Sequence, residues 1–183
     1  MKNVIMLHGT GETPESFWYP YVKHELEQKG YKVWLPQLPN SDIPKLEFQL
    51  PFILQGGEYS NETVMIAHSA GVPLALSVLE SLDIKIKQAV LIAGFITPLA
   101  KGDSGPNLIL QADYDWKKIR AHVADITLIH SDDDPWGCGD SEGRKIFNHV
   151  GGTLIIRHGE GHMGSQAFNQ PYRGFPFLIK LID

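Results

Sequence analysis

The sequence contains a single cysteine, Cys138, among 183 residues, so no disulfide can form within the chain. No stretch approaches the roughly 18 uninterrupted apolar residues that a membrane-spanning helix requires. The apolar start of the chain is interrupted at His8 and Gly9, which is too early for the core of a signal peptide. These absences predict a cytoplasmic protein that does not engage a membrane.

Positive charge is also scarce. The chain has 16 Lys and Arg against 21 Asp and Glu, a net charge of -5, and its basic residues are scattered. Proteins that bind the phosphate backbone usually carry a basic stripe, so we expect no nucleic-acid partner. No internal repeat or low-complexity tract divides the sequence, and its length suits one domain over residues 1–183.

Apolar segments alternate with segments of helical pattern. The segments predicted to be strands are 3–8, 31–36, 63–68, 87–94, 125–131 and 153–158. The segments predicted to be helices are 16–30, 70–82, 115–123, 140–151 and 171–183. Several strands are apolar without alternation, which is typical of strands covered on both faces. The order predicts a doubly wound α/β fold with a mainly parallel sheet of about six strands and helices on both faces.

The segment 98–115, with Gly102, Gly105 and Pro106, predicts a long loop. It is too short for a lid domain, so we expect no lid over the carboxyl ends of the strands. Ligands of such sheets bind beyond those ends, which directs attention to the loops that follow the strands.

A serine stands between the third predicted strand and the following helix, in the sequence "AHSAG". Ser69 has small residues two positions before and after it, Ala67 and Gly71, as a sharp nucleophile turn requires. Pro73 is tolerated only in a first helical turn, which places the start of the helix near Ala70. The N–H of Ala70 would then face an oxyanion. The alternative is that Ser69 merely caps the helix.

A base and an acid are expected after later strands, in the order Ser, Asp, His. His162 lies in a glycine-rich loop and is favoured as the base. His158, which directly follows the last strand and is expected to lie against the sheet, is the alternative. Among adjacent aspartates, Asp134 precedes a proline and is biased towards an extended conformation, which favours it over Asp133 as the acid.

The second oxyanion donor is expected in the loop "HGTGETPES" after the first strand, where glycines allow close approach of the backbone. Thr10 is the first choice for this N–H and Gly11 the next. The loop lacks the spacing of a phosphate-binding motif. Substrate contacts are predicted at Phe95, Trp136 and Met163. Phe17 and Trp18 could line the same cleft or fill the core.

These motifs, taken together, resemble the small lidless serine hydrolases of the α/β-hydrolase superfamily, the group of YdeN-like bacterial proteins and retinoblastoma-binding-protein serine hydrolases. The similar segments, in matching order, are "HGTGETPESFWYPYVKHEL", "AHSAG", "DWKKI", "HSDDDPW" and "GEGHM". The resemblance implies that Ser69 is the nucleophile, Asp134 the acid and His162 the base.

The chain departs from the family pattern at two places. Ala67 stands where the family usually has glycine, and Gly137 and Cys138 stand where it tends to have an apolar residue and a proline. These departures concern substrate preference more than reaction type.

The sequence therefore predicts a serine hydrolase, a carboxylesterase for small acyl esters or activated amides that forms an acyl-enzyme and needs no cofactor or metal. One alternative is a catalytically weak protein of the same fold that acts as a binding partner. Another is a metal-dependent hydrolase in which His158 and His162 join the neighbouring aspartates. The i, i+4 histidines have two glycines between them, which disfavours the helix that a shared metal site would need.

Overall fold

A computed structural model of the protein describes residues 2–100 and 105–182, so Gly102 of the predicted loop lies outside the described residues. Its strands are β1 (Asn3–Leu7), β2 (Lys32–Trp34), β3 (Thr63–His68), β4 (Ile86–Ile92), β5 (Val123–Ser131) and β6 (Thr153–Arg157). They form one sheet of order β2-β1-β3-β4-β5-β6. Every pairing is parallel, which confirms the predicted fold class.

The helices are α1 (Tyr19–Gln28), α2 (Leu46–Gly56), α3 (Gly71–Ser81), α4 (Trp116–Ala121), α5 (Asp140–Val150) and α6 (Pro176–Ile179). By their contacts they form two groups. One contains α1 and α6, and the other is a series in which α2, α3, α4 and α5 contact in chain order. This grouping fits a sheet with a helical layer on each face.

The centre of the sheet is fully buried. Every residue of β1 and β3 is buried, and so is α3 from Gly71 to Leu79. This explains the absence of alternation in these strands, because both of their faces lie against helices. The register places Leu7, Ala67, Leu91 and Leu128 in one row across β1, β3, β4 and β5, so the loops that follow these strands start at a common edge.

Two helices differ from the sequence prediction. The sequence pattern did not indicate α2, which contains Pro51 in its interior, a residue that normally interrupts a helix. Its packing on α3 compensates for the lost backbone hydrogen bond. The predicted closing helix 171–183 is reduced to α6, because Gly174 and Pro176 prevent an earlier start.

The connection from β4 to α4 contains, in its described part, a short 3₁₀ helix over Gly105–Ile109. No lid is evident in the residues that the structure describes, as the sequence predicted. Within the same residues, no helix is both long and apolar enough to cross a bilayer.

Candidate active site

Ser69 occupies a strained turn between β3 and α3. Its φ angle is 53°, in the left-handed region that serine rarely adopts, and its N–H donates to the carbonyl of Ile92 at 2.9 Å. A Cβ at Gly71 would lie 2.5 Å from the carbonyl oxygen of Leu7. The small residue after the serine is therefore required by the backbone of β1, a neighbour that the local motif does not reveal.

The Ser69 hydroxyl makes its side-chain hydrogen bond to an imidazole. Its Oγ lies 3.0 Å from Nε2 of His162, and Nδ1 of His162 lies 2.7 Å from Oδ2 of Asp134. The side chains of His162 and Asp134 are 4% and 0% exposed. No side chain caps the start of α3, so the structure does not support the simple capping role of Ser69.

The three adjacent aspartates each hold a different part of the loop that carries His162. Oδ2 of Asp132 lies 2.6 Å from Nδ1 of His158 at the surface, and Oδ1 of Asp133 accepts the Gly161 N–H at 2.8 Å. Only Asp134 reaches the His162 ring. The expectation that His158 lies against the sheet is wrong, because its side chain is 96% exposed.

The predicted oxyanion donors lie beside the serine. Thr10 and Gly11 line the same cleft as Ser69, and Ala70 is the residue directly before α3. Within the described residues, the N–H groups of Thr10 and Ala70 make no backbone hydrogen bond. They remain available to a ligand at the positive end of the α3 dipole.

The cleft over Ser69 has a volume of about 430 Å³. Of the predicted contacts, Trp136 lines it and Phe17 contributes to its wall. Phe95 and Met163 are fully buried, so the prediction that they contact substrate is wrong. Both belong to the hydrophobic core.

The sequence did not indicate the other walls of this cleft. Leu99 and Pro106 approach from the loop between β4 and α4, and Gln166 and Ala167 approach from the loop after the histidine. A polar groove continues from the cleft, shares Ser16, Phe17, Ser165 and Gln166 with it, and is further lined by Asn169, Gln170 and Arg173.

A buried cluster behind His162 was also missed; we call it the polar bridge and define it as Glu12, Tyr19 and His68. His68 Nε2 lies 2.8 Å from the carbonyl oxygen of His162, and its Nδ1 lies 2.7 Å from the Tyr19 hydroxyl. Tyr19 donates in turn to Oε2 of Glu12, which also accepts the Gly9 N–H at 2.6 Å. The only sequence signal was the position of His68 directly before the serine.

The polar bridge carries a buried ion pair. Burial acts to lower the pKa of His68, but the Glu12 carboxylate, its hydrogen bond and the His162 carbonyl outweigh burial and raise the pKa. Burial acts to raise the pKa of Glu12, but His68, Tyr19 and the Gly9 amide lower it. The neighbours of each group therefore favour its charged form, the imidazolium of His68 and the carboxylate of Glu12.

This pair predicts a pH-dependent stability. The lowered pKa of Glu12 stabilises the fold above the unfolded-state value of 4.5 and this is lost as the pH falls through the folded-state value. The raised pKa of His68 stabilises the fold below the unfolded-state value of 6.5 and this is lost as the pH rises through the folded-state value. Both contributions are present between pH 4.5 and pH 6.5. In this range Glu12→Gln should lower the free energy of unfolding most, by about 1–3 kcal/mol.

Denaturant unfolding of wild type and Glu12→Gln over a pH series measures this difference. The other polar and charged groups around His68, which include Tyr19, His8, Asp134 and both the ring and the carbonyl of His162, are common to both proteins. A difference that does not vary with pH would contradict the ion pair.

One group of three potential metal ligands occurs in the described residues, formed by Asp134, Cys138 and His162, whose ligand atoms lie within 4.8 Å of one another. His158 is not part of it, so the structure does not bring together the histidine pair of the metal-dependent alternative. Burial, Asp134 and Glu142 raise the pKa of Cys138, which disfavours the thiolate that a metal would need. Asp134 and His162 are moreover hydrogen-bonded to each other, which occupies the atoms that would bind a metal.

Comparisons with known proteins show which family the chain resembles. A family model described as serine hydrolase matches residues 4–178. The serine hydrolase RBBP9 of Rattus norvegicus is 22% identical over 174 residues, which cover 93% of this chain and 90% of that protein. The Bacillus subtilis protein YdeN is 28% identical over 141 residues, covering 73% of this chain and 71% of YdeN.

Solved structures share the fold. The crystal structure of the B. subtilis ydeN gene product superposes with a TM-score of 0.84 at 23% identity, covering 99% of this chain and 96% of that one. Est1E from Butyrivibrio proteoclasticus, with ferulic acid bound, superposes with a TM-score of 0.71 at 12% identity, covering 100% of this chain and 86% of that one.

Proposed function

The chain belongs to the serine hydrolase family, and on this premise we propose that it is a carboxylesterase that cleaves small acyl esters, or activated amides, through an acyl-enzyme on Ser69. The observation that carries the proposal is the continuous set of hydrogen bonds from Ser69 Oγ through His162 to Asp134, at 3.0 and 2.7 Å. These distances suit proton transfer without rearrangement.

In the proposed reaction, Oγ of Ser69 bonds to the carbonyl carbon of the ester while Nε2 of His162 accepts its proton. Asp134 holds the Nδ1 proton and stabilises the imidazolium. The bond to the leaving alcohol then breaks, and His162 returns the proton to the departing oxygen. Water repeats the sequence in reverse, releases the acid and restores Ser69.

The developing oxyanion is assigned to the N–H groups of Thr10 and Ala70. These donors come from two different loops, one after β1 and one after β3, whose strands pair in register up to Leu7 and Ala67. Loss of one such donor lowers kcat by about 100-fold or more in related chemistry.

The size of the cleft predicts a preference for short acyl chains. The volume of about 430 Å³ suits both parts of a small ester. Because no lid is evident in the part of the chain that the structure describes, longer acyl chains would extend into water. Across a series of 4-nitrophenyl esters, we expect kcat/KM to be highest for acetyl to butyryl and to fall on the order of tenfold or more for decanoyl. A steady rise with chain length would contradict this size limit.

Covalent labelling tests the proposed function. A fluorophosphonate probe should react with one serine per chain, and digestion should place the adduct on the peptide containing Ser69. The rate of hydrolysis of short esters should fall in proportion to the fraction of chains that is labelled. A folded chain that neither takes up the probe nor cleaves esters would instead indicate that the fold acts as a binding partner.

A further inference from the structure

We propose that the polar bridge of Glu12, Tyr19 and His68 is a positioning device that sets the spacing between the general base and the oxyanion donors. The inference deepens the proposed function and rests on it. One end of the bridge holds the carbonyl of His162, and the other holds the N–H of Gly9. Gly9 directly precedes Thr10, the proposed donor.

The need for such a device comes from the topology. Gly9 follows β1 and His162 follows β6, and in the sheet these strands are separated by β3, β4 and β5. Pairing between neighbouring strands therefore does not fix the distance between the two loops. The polar bridge joins them directly through side chains.

The direction of each hydrogen bond follows from the two ends. The carbonyl of His162 can only accept, so Nε2 of His68 donates to it. The one hydroxyl proton of Tyr19 goes to the Glu12 carboxylate, and the Tyr19 oxygen accepts from Nδ1 of His68. Each member has a defined role. Tyr19 supplies the shorter link between His68 and Glu12, because Nδ1 of His68 itself lies 3.5 Å from Oε2 of Glu12.

Stability alone does not require this arrangement. Tyr19 is 1% and His68 0% exposed, and Glu12 is 8% exposed. Burial of an ion pair costs free energy that apolar side chains of similar volume avoid. The bridge uses charged groups where directional bonds to two backbone atoms are needed.

A second contact strengthens the same connection. Nε1 of Trp18 donates to the carbonyl of Met163 at 2.8 Å, so the carbonyls of the base His162 and of the next residue are both held from the buried side. Met163 has a φ angle of 53°, a conformation that the surrounding contacts must maintain. Trp18, Tyr19 and Glu12 all lie on the segment between β1 and the first turns of α1.

Tyr19→Phe provides the sharpest test, because it removes one hydroxyl and keeps the ring. We expect kcat for a short ester to fall by about 10- to 100-fold with KM within about threefold, since small displacements of catalytic groups have effects of this size. Tyr59→Phe is the matched control: its hydroxyl donates to the carbonyl of Ile53 at 2.8 Å, away from the cleft. It should retain wild-type kcat.

Substitutions of His68 test whether the donor itself matters. Gln can place an N–H near the position of Nε2 and donate to the His162 carbonyl, whereas Met has similar size and no donor. We expect His68→Gln to retain several-fold more kcat per active site than His68→Met. Equal loss in both variants would contradict the role of this donor.

Fluorophosphonate titration separates positioning from folding, because it counts competent sites while kcat per site reports their geometry. The proposal expects near-complete titration of Tyr19→Phe with a lowered kcat per site, and no further loss in Glu12→Gln/Tyr19→Phe, because the bridge acts as a unit. If Tyr19→Phe had fewer titratable sites but wild-type kcat per site, or if it kept full activity, the positioning role of the polar bridge would be contradicted. The proposed esterase function would be unaffected. A wild type that takes no probe would overturn the proposed function and the bridge with it.

Discussion

Ser69→Ala is expected to lower kcat/KM for short esters by about 10⁴-fold or more, with residual turnover from binding and the oxyanion donors alone. Among the residues that the structure describes, Ser69 has the only hydroxyl within hydrogen-bond distance of Nε2 of His162, so we expect no other group to form the acyl-enzyme. Alanine keeps the Cβ that packs beside Gly9. The free energy of unfolding should therefore change by no more than about 1 kcal/mol. Steady-state kinetics and denaturant unfolding measure the two effects.

Ser81→Ala is the matched control for this substitution. Ser81 ends the same helix, α3, and its hydroxyl donates to the carbonyl of Ser77 at 2.8 Å. The variant should be labelled and turn over like wild type. Retention of more than a small fraction of activity in Ser69→Ala would refute the assignment of the nucleophile.

Asp134→Asn should have the second largest effect, a loss of about 10⁴-fold in kcat, as replacement of the orienting carboxylate causes in such triads. An amide facing Nδ1 of His162 would donate a hydrogen bond to it. The ring proton would then move to Nε2, and His162 could no longer accept the proton of Ser69. The N–H of Trp136, which now donates to Oδ1 of Asp134 at 2.8 Å, would still hold the asparagine oxygen.

Asp132→Asn and Asp133→Asn complete this comparison. Asp132 contacts the exposed His158, and its substitution should alter kcat less than about threefold, as for most surface changes. Asp133 supports the backbone of Gly161, so its variant should lose part of the activity without changing the tautomer. A larger loss in Asp133→Asn than in Asp134→Asn would reassign the acid.

The ends of the strands were predictable because they are indicated by two local features of the sequence, apolar runs and turn residues. Apolar runs of strand length indicated where β1, β3 and β5 end, and the glycines and small residues beyond them indicated turns. Ser69 could be predicted as the nucleophile because Ala67, Gly71 and Pro73 together indicate a sharp strand-to-helix turn at this serine. The helix α2 could not be found, because Pro51 opposes it locally and packing on α3 overrides that preference.

The walls of the cleft and the polar bridge could not be predicted from the sequence. Trp136 and Phe95 look alike as aromatic residues after strands, yet one lines the cleft and the other is fully buried. Nothing near Glu12 or Tyr19 in the sequence indicates that they reach His68. These contacts join positions up to 56 residues apart.

By itself the sequence determined the α/β fold class, the order of serine, aspartate and histidine along the chain, and the loops that carry them, because hydrophobic period and turn chemistry act over a few neighbouring residues. Only the tertiary structure decided which of the adjacent aspartates contacts His162, which aromatic residues face the cleft, and how Glu12, Tyr19 and His68 connect two distant loops. Those choices depend on side-chain directions and strand register, which the packing of elements remote in sequence sets.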